Sequence, residues 1–123
     1  MKYLCLIYNE ERKLQAMSKV EREALVGEAL AYDEELKQRG HFIAAQVLQR
    51  VETATTVRVR NGRLSTTEGP VADVKDQLAG FILIDARDLN EAIQVASKMP
   101  GARVGSIEVR PIREAEQKDQ ALY

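Results

Sequence analysis

The segment AGFILIDA, residues Ala79–Ala86, carries apolar side chains at both odd-numbered and even-numbered positions. A second segment of this kind, KYLCLIY, spans Lys2–Tyr8. Apolar residues of both parities predict a strand whose two faces are both buried. We therefore expect these two strands to form the middle of one sheet.

Helix signals follow each of the two central strands. Ser18 and Glu21 form a capping box for a helix predicted to run to Gly40. Asp88 begins a second helix, which is predicted to end near Met99 before a Pro-Gly pair. The apolar positions expected to face the core from this second helix are Leu89, Ile93 and Ala96.

Strand signals complete the order of elements. His41–Arg50 and Gly105–Ile112 are predicted strands, and Asn61-Gly62 predicts a two-residue turn between the strands of a hairpin. The order is β-α-β, a hairpin, then β-α-β. This is a ferredoxin-like α+β fold with an inserted hairpin. We expect one domain over residues 1–123, with a polar C-terminal tail from about residue 113.

The predicted sheet has one face that its own helices do not cover. Two helices pack on one face, while the central strands still place apolar side chains on the other. A large exposed apolar patch is rare on a soluble monomer. We therefore predict a homodimer packed sheet to sheet, with a cavity between the sheets.

Composition excludes several classes of protein. The 123 residues include 18 basic and 19 acidic side chains, so the basic excess of a nucleic-acid binder is missing. No apolar run approaches the length of a membrane span. The lone Cys5 lies within an apolar strand and predicts a buried side chain in a cytoplasmic protein. Neither the spacing of metal ligands nor a nucleotide-binding loop is present, so we expect no metal and no cofactor.

The segment between the hairpin and the third main strand, TTEGPVADVKDQLAGF, is the candidate site. Its charged side chains would form a polar wall around a small ligand, with Lys75 holding an anionic group. The ligand-binding candidates are Glu68, Asp73, Lys75 and Asp76. His41 and Asp73 are candidates for acid–base catalysis, His41 because histidine is the side chain that commonly transfers protons near neutral pH. The alternatives are a solvated loop set by Gly69-Pro70, and a histidine that only finishes a helix end.

The residues from Glu68 to Ile112, EGPVADVKDQLAGFILIDARDLNEAIQVASKMPGARVGSIEVRPI, resemble the YCII-related proteins of the DGPF group. The N-terminal MKYLCLIY and the hairpin ATTVRVRNG are also similar to that group, so the resemblance covers about residues 1–112. It implies a dimeric α+β barrel, in a superfamily that includes isomerases, monooxygenases and a dehydrochlorinase of ring compounds.

The chain departs from that pattern at two places. The shorter branch of the family has a proposed His–Asp active site with its histidine on the first helix, whereas this chain has no histidine between Ser18 and Gly40. Glu68 also stands where the group has aspartate, and Val71 replaces an aromatic residue. A catalytic carboxylate seldom tolerates a change of length, because it must reach its proton within hydrogen-bond distance. Glu68 is therefore the less favoured candidate.

Two functional hypotheses of different classes follow. In the first, the homodimer binds a small organic molecule in its cavity, with isomerase- or lyase-like acid–base chemistry. In the second, the protein is a non-enzymatic regulatory or interaction module, because DGPF-type domains resemble partners of alternative sigma factors. An open pocket that converges on residues 68–76 would favour the first hypothesis, and a filled interior the second.

Overall fold

The computed structural model describes residues 1–113, so the predicted polar tail lies almost wholly outside the described residues. In chain order the strands are β1 (Lys2–Glu10), β2 (Phe42–Val47), β3 (Thr55–Arg60), β4 (Arg63–Glu68), β5 (Asp76–Asp85) and β6 (Gly105–Pro111). The helices are α1 (Glu11–Ala16), α2 (Lys19–Gln38), α3 (Leu89–Ser97) and α4 (Gly101–Val104), with a short 3-10 helix at Val51–Thr53.

The main sheet is antiparallel and has the strand order β2-β5-β1-β6. This order confirms the ferredoxin-like α+β fold, and β1 and β5 are its central strands, as their apolar composition predicts. Pairing of β1 with β5 runs from Lys2 opposite Asp85 to Glu10 opposite Asp76. The sheet therefore has two distinct ends, and residues 68–76 lead into the end that contains Glu10.

The core lies between one face of this sheet and the helices α2 and α3. Tyr3, Cys5 and Ile84 reach it from the central strands, and each is at most 3% exposed. The predicted capping box of α2 forms, since Ser18 accepts a hydrogen bond from the amide of Glu21 and Glu21 bonds back. Its buried residues, Tyr32 and Leu36, both lie in the C-terminal half of the helix. The core is therefore densest where that half of α2 crosses the sheet.

The predicted core face of α3 is wrong at two of its three positions. Leu89 and Ile93 are each 50% exposed, whereas Ala92, Val95 and Ala96 are buried. The buried set, with Met99, follows the spacing i, i+3, i+4, i+7, one residue out of phase with the predicted stripe. Alanines on the inner stripe let the helix approach the sheet closely. The bulkier Leu89 and Ile93 therefore lie on its outer side.

Several elements and their bounds also differ from prediction. The segment after β1 forms the helix α1, β2 ends at Val47, and β5 begins at Asp76. After α3 ends at Ser97, the chain forms a further helical turn, α4, beyond Pro100.

The hairpin β3–β4 forms its own two-stranded sheet. Asn61 and Gly62 have φ angles of 53° and 74°, the positive values that a two-residue hairpin turn requires. At its base, Thr56 Oγ1 donates to the Gly69 carbonyl at 2.8 Å and the Gly69 amide donates to the Ala54 carbonyl at 2.7 Å. These bonds fix the start of the candidate segment.

The second face of the main sheet, which we call the open face, carries Leu4, Leu6, Phe81 and Leu83. Leu4 pairs with Leu83 and Leu6 with Phe81, so the four side chains form one block. All four are only partly buried. Side chains alternate between faces along a strand, so these residues point away from the core that their neighbours Cys5, Ile82 and Ile84 fill.

Candidate functional site

Three of the predicted ligand-binding residues line one cleft. Glu68, Asp73 and Lys75 border a space of about 910 Å³ together with Glu10, Glu11 and Glu52. We call this space the loop cleft. It lies at the end of the sheet where β1 passes into α1 and the hairpin returns towards β5.

Two local features define the backbone conformation of residues 69–77. Gly69 has a φ of 105°, a left-handed conformation that side chains other than glycine rarely adopt. The Gln77 side chain donates from Nε2 to the carbonyls of Ala72 at 3.0 Å and Val74 at 2.9 Å. Asp73 lies between these two carbonyls in sequence. Its position is therefore set by a local hydrogen-bonded turn.

Lys75 already has a carboxylate partner within the protein. Its Nζ lies 3.3 Å from Glu10 Oε1, and the Nζ of Lys13 lies 3.5 Å from Glu10 Oε2. The Glu10 side chain is only 14% exposed, while that of Lys75 is 73% exposed. The two lysines thus neutralise a carboxylate that is largely removed from water, and Lys75 is engaged before any anionic ligand arrives.

The remaining charges make the loop cleft acidic. The carboxylates of Glu11, Glu68 and Asp73 form no hydrogen bond or ion pair with any other residue in 1–113. Arg12 is the other cation on the lining besides Lys75. Ionised carboxylates only accept hydrogen bonds. The cleft therefore suits a molecule that brings hydrogen-bond donors.

Asp76 and His41 do not join this group. Asp76 lines a neighbouring cleft of about 550 Å³ with Tyr8, Leu78 and Val71. His41 lies at the opposite end of the sheet, where its Nδ1 is 2.8 Å from the Asp85 carbonyl. The length of β5 separates the two ends by about 30 Å at the usual rise per residue. The structure thus does not bring His41 and Asp73 together.

Sequence reasoning missed three acidic residues of the loop cleft: Glu10, Glu11 and Glu52. Glu10 and Glu11 belong to a segment whose polar composition predicts only an interruption after Tyr8. The pairing register would have found Glu10, since an antiparallel β1–β5 pair places it opposite Asp76. Glu52 lies in the 3-10 helix before the hairpin, and no pattern in the sequence places it beside residues 68–75.

Within residues 1–113 no three His, Cys, Asp or Glu side chains are grouped closely enough to hold a metal ion. In the same range, no helix has the length and apolar character needed to cross a membrane.

Comparison with known proteins gives three findings. The sequence model described as YCII-related domain matches residues 1–116. An uncharacterised protein of Rhizobium meliloti (strain 1021) is 35% identical over 114 residues, which cover 91% of this chain and 92% of that protein. A solved structure, the 5-chloro-2-hydroxyhydroquinone dehydrochlorinase of Burkholderia phenoliruptrix AC1100 in complex with 2,5-dihydroxybenzoquinone, superposes with a TM-score of 0.55. That alignment covers 95% of this chain and 98% of the other at 18% identity.

Proposed function

The chain belongs to the YCII-related domain family, and from this premise we propose that it binds a small polyhydroxylated organic molecule in the loop cleft. The observation that carries the proposal is the convergence of Glu11, Glu68 and Asp73, three carboxylates without partners inside residues 1–113, on one open cleft. Hydroxyl groups of a ligand would donate to them, and hydrogen bonds to charged acceptors are the stronger kind.

The chemical class of the ligand is supported by the structural neighbour. That dehydrochlorinase is named for a chlorinated, hydroxylated ring and was solved with a dihydroxybenzoquinone. The hydroxyl groups of such a ring would donate hydrogen bonds to the carboxylates of the cleft, which can only accept them. One scaffold can host unrelated activities, so the fold alone does not select a ligand. The acidity of the loop cleft and the hydroxylated ring bound by the neighbour together support this class of ligand.

A homodimer is the second part of the proposal. The open face is a continuous block of Leu4, Leu6, Phe81 and Leu83, and a second copy of the same face would remove it from water. The loop cleft lies at one end of this sheet, so it would form the mouth of the chamber between two sheets. We expect this dimer in the cytoplasm.

The proposed chemistry is acid–base catalysis of the isomerase or lyase type. Asp73 would act as the base, because it lines the cleft and its carboxylate has no partner among the described residues. His41 is too far away to serve as its acid.

The second candidate function is an interaction module of the sigma-factor-associated kind. One observation favours it: Val57, Val59 and Leu64 lie on the same face of the hairpin and are 61%, 58% and 69% exposed. An apolar hairpin face of this kind suits a protein partner. In that case substitutions on the hairpin would weaken binding of the protein partner, and substitutions in the loop cleft would leave it unchanged.

Calorimetric titration with trihydroxybenzene tests the first candidate. We expect Asp73→Asn and Glu68→Gln each to weaken binding about tenfold, the usual cost of losing a hydrogen bond to a charged group. Asp76→Asn is the matched control, because it removes the same charge three residues further along, at the first residue of β5, which lines the neighbouring cleft and not the loop cleft. Equal affinities for all four proteins would refute the loop cleft as the site.

A further inference from the structure

An apolar cavity lies under the middle of α2, apart from the loop cleft. It has a volume of about 160 Å³. Its walls include Leu25 and Ala29 of α2, Ile82 of β5 and Met99. It forms because α2 buries Tyr32 and Leu36 in its C-terminal half, while Leu25 and Ala29 are only partly buried.

One carboxylate, that of Asp33, contributes to the lining of this apolar cavity. Asp33 is partly buried, and its carboxylate makes no hydrogen bond or ion pair with any other side chain or backbone group of residues 1–113. Burial raises the pKa of its carboxyl above the ordinary value, against the opposing effect of Lys37. The ammonium of Lys37 is itself 3.0 Å from Glu34 Oε1 and lies over the Phe42 ring, so it is occupied elsewhere.

Tyr32, the neighbour of Asp33 in sequence, also lines the cavity, and its hydroxyl already has a hydrogen-bond partner. It donates to the Val95 carbonyl at 2.7 Å and thereby ties α2 to α3. The cavity thus combines an apolar interior with one partly buried acidic residue whose carboxylate has no hydrogen-bond donor among residues 1–113.

We propose that this cavity binds a single apolar ring bearing a protonated amine, with the ring against Leu25, Ile82 and Met99 and the ammonium on Asp33. An apolar cavity of about 150 Å³ is large enough to take up benzene, so the volume admits one ring. An ammonium would restore the donors and the opposite charge that the partly buried carboxylate lacks. A ring that bears a carboxylate would be repelled by Asp33.

Benzylamine, benzyl alcohol and benzoate form a matched series of probes, since they share the ring and differ in the charge of the substituent. Titration of the whole protein, followed by methyl NMR, gives both affinity and position. We expect benzylamine to bind most tightly, benzyl alcohol more weakly and benzoate not at all. Benzylamine should shift the Met99 methyl resonance and leave that of the exposed Met1 in place.

Two variants test the two halves of the site. Asp33→Asn should weaken benzylamine binding about tenfold and reduce its advantage over benzyl alcohol. Glu35→Gln is the control, because it removes the same charge from an exposed position of the same helix. Ala29→Leu should fill the cavity and abolish binding of both neutral and cationic rings. Should that variant fold poorly, Asp33→Asn alone decides the question.

The test of the apolar cavity is independent of the test of the loop cleft. Asp73→Asn should leave benzylamine affinity unchanged, and Asp33→Asn should leave trihydroxybenzene affinity unchanged. Benzoate binding as tightly as benzylamine, or benzylamine shifts confined to residues 68–77, would overturn the cavity proposal without touching the proposed function.

Discussion

The two faces of the main sheet are built by the same strands but differ in burial. On the covered face, Cys5 and Ile84 are 0% exposed beneath the helices. On the open face, their neighbours Leu4 and Leu83 are only partly buried, although they are just as apolar. The apolar composition of these strands thus indicates that both faces of the sheet favour removal from water. Which face the chain covers by itself depends on where its helices cross.

The sharpest contrast between the faces concerns the single thiol. Cys5 is completely buried, and burial raises its pKa to about 11. At pH 8 about one thiol in a thousand would then be ionised, even before access is considered. We expect alkylation of the native protein to be slower than that of the urea-unfolded chain by about a thousandfold or more.

Mass spectrometry of iodoacetamide labelling over time measures this protection. A Leu4→Cys, Cys5→Ala double variant moves the thiol to the open face and should label far faster at low protein concentration. Similar labelling rates for the two thiols would contradict the difference in burial between the two faces.

The next contrast is energetic. Ile84→Ala should lower the free energy of unfolding by about 3 kcal/mol, because it removes a fully buried side chain from a packed core. Leu83→Ala, one residue earlier on β5, should cost about 1 kcal/mol in the single chain, because this side chain is only partly buried there. Urea unfolding at two protein concentrations measures both. Only the Leu83→Ala loss should depend on concentration, since only that side chain lies in the proposed dimer interface.

A further effect is expected at the proposed interface itself. Phe81→Asp places a charge in the middle of the open face, and we expect it to weaken dimerisation by about 2 kcal/mol. Sedimentation velocity over a dilution series gives the dissociation constant. Val20→Asp adds the same charge to the outer surface of α2, where Val20 is 75% exposed, and should change nothing. A wild-type chain that stays monomeric at high concentration would leave the open face without its proposed partner.

Much of the fold could be predicted because local signals agree with the global arrangement. The capping box at Ser18, the Asn61-Gly62 turn and the two-faced apolar strands each specify a local structure, and all three are present. The face of α3 could not be predicted in the same way. A short helix with apolar residues on two adjacent stripes buries whichever stripe fits the sheet more closely, and the smaller residues fitted here.

The candidate site was predictable only in part. Residues 68, 73 and 75 are near in sequence, so their shared cleft follows from local geometry. His41 was grouped with them on its chemistry alone, and the strand register places it at the far end of the sheet. Glu10 and Glu52 were missed for the converse reason, because they approach the loop only through pairing and packing of distant segments.

The sequence by itself determined the elements, their order, the turn of the hairpin and the need for cover on both faces of the sheet. These depend on residue type and on spacing within a few positions, which the chain carries locally. The tertiary structure alone decided which face the helices cover, which stripe of α3 is buried, which charges share a cleft and that Asp33 borders an apolar cavity. Each of these depends on contacts between segments far apart in the chain, and no local pattern encodes their distances.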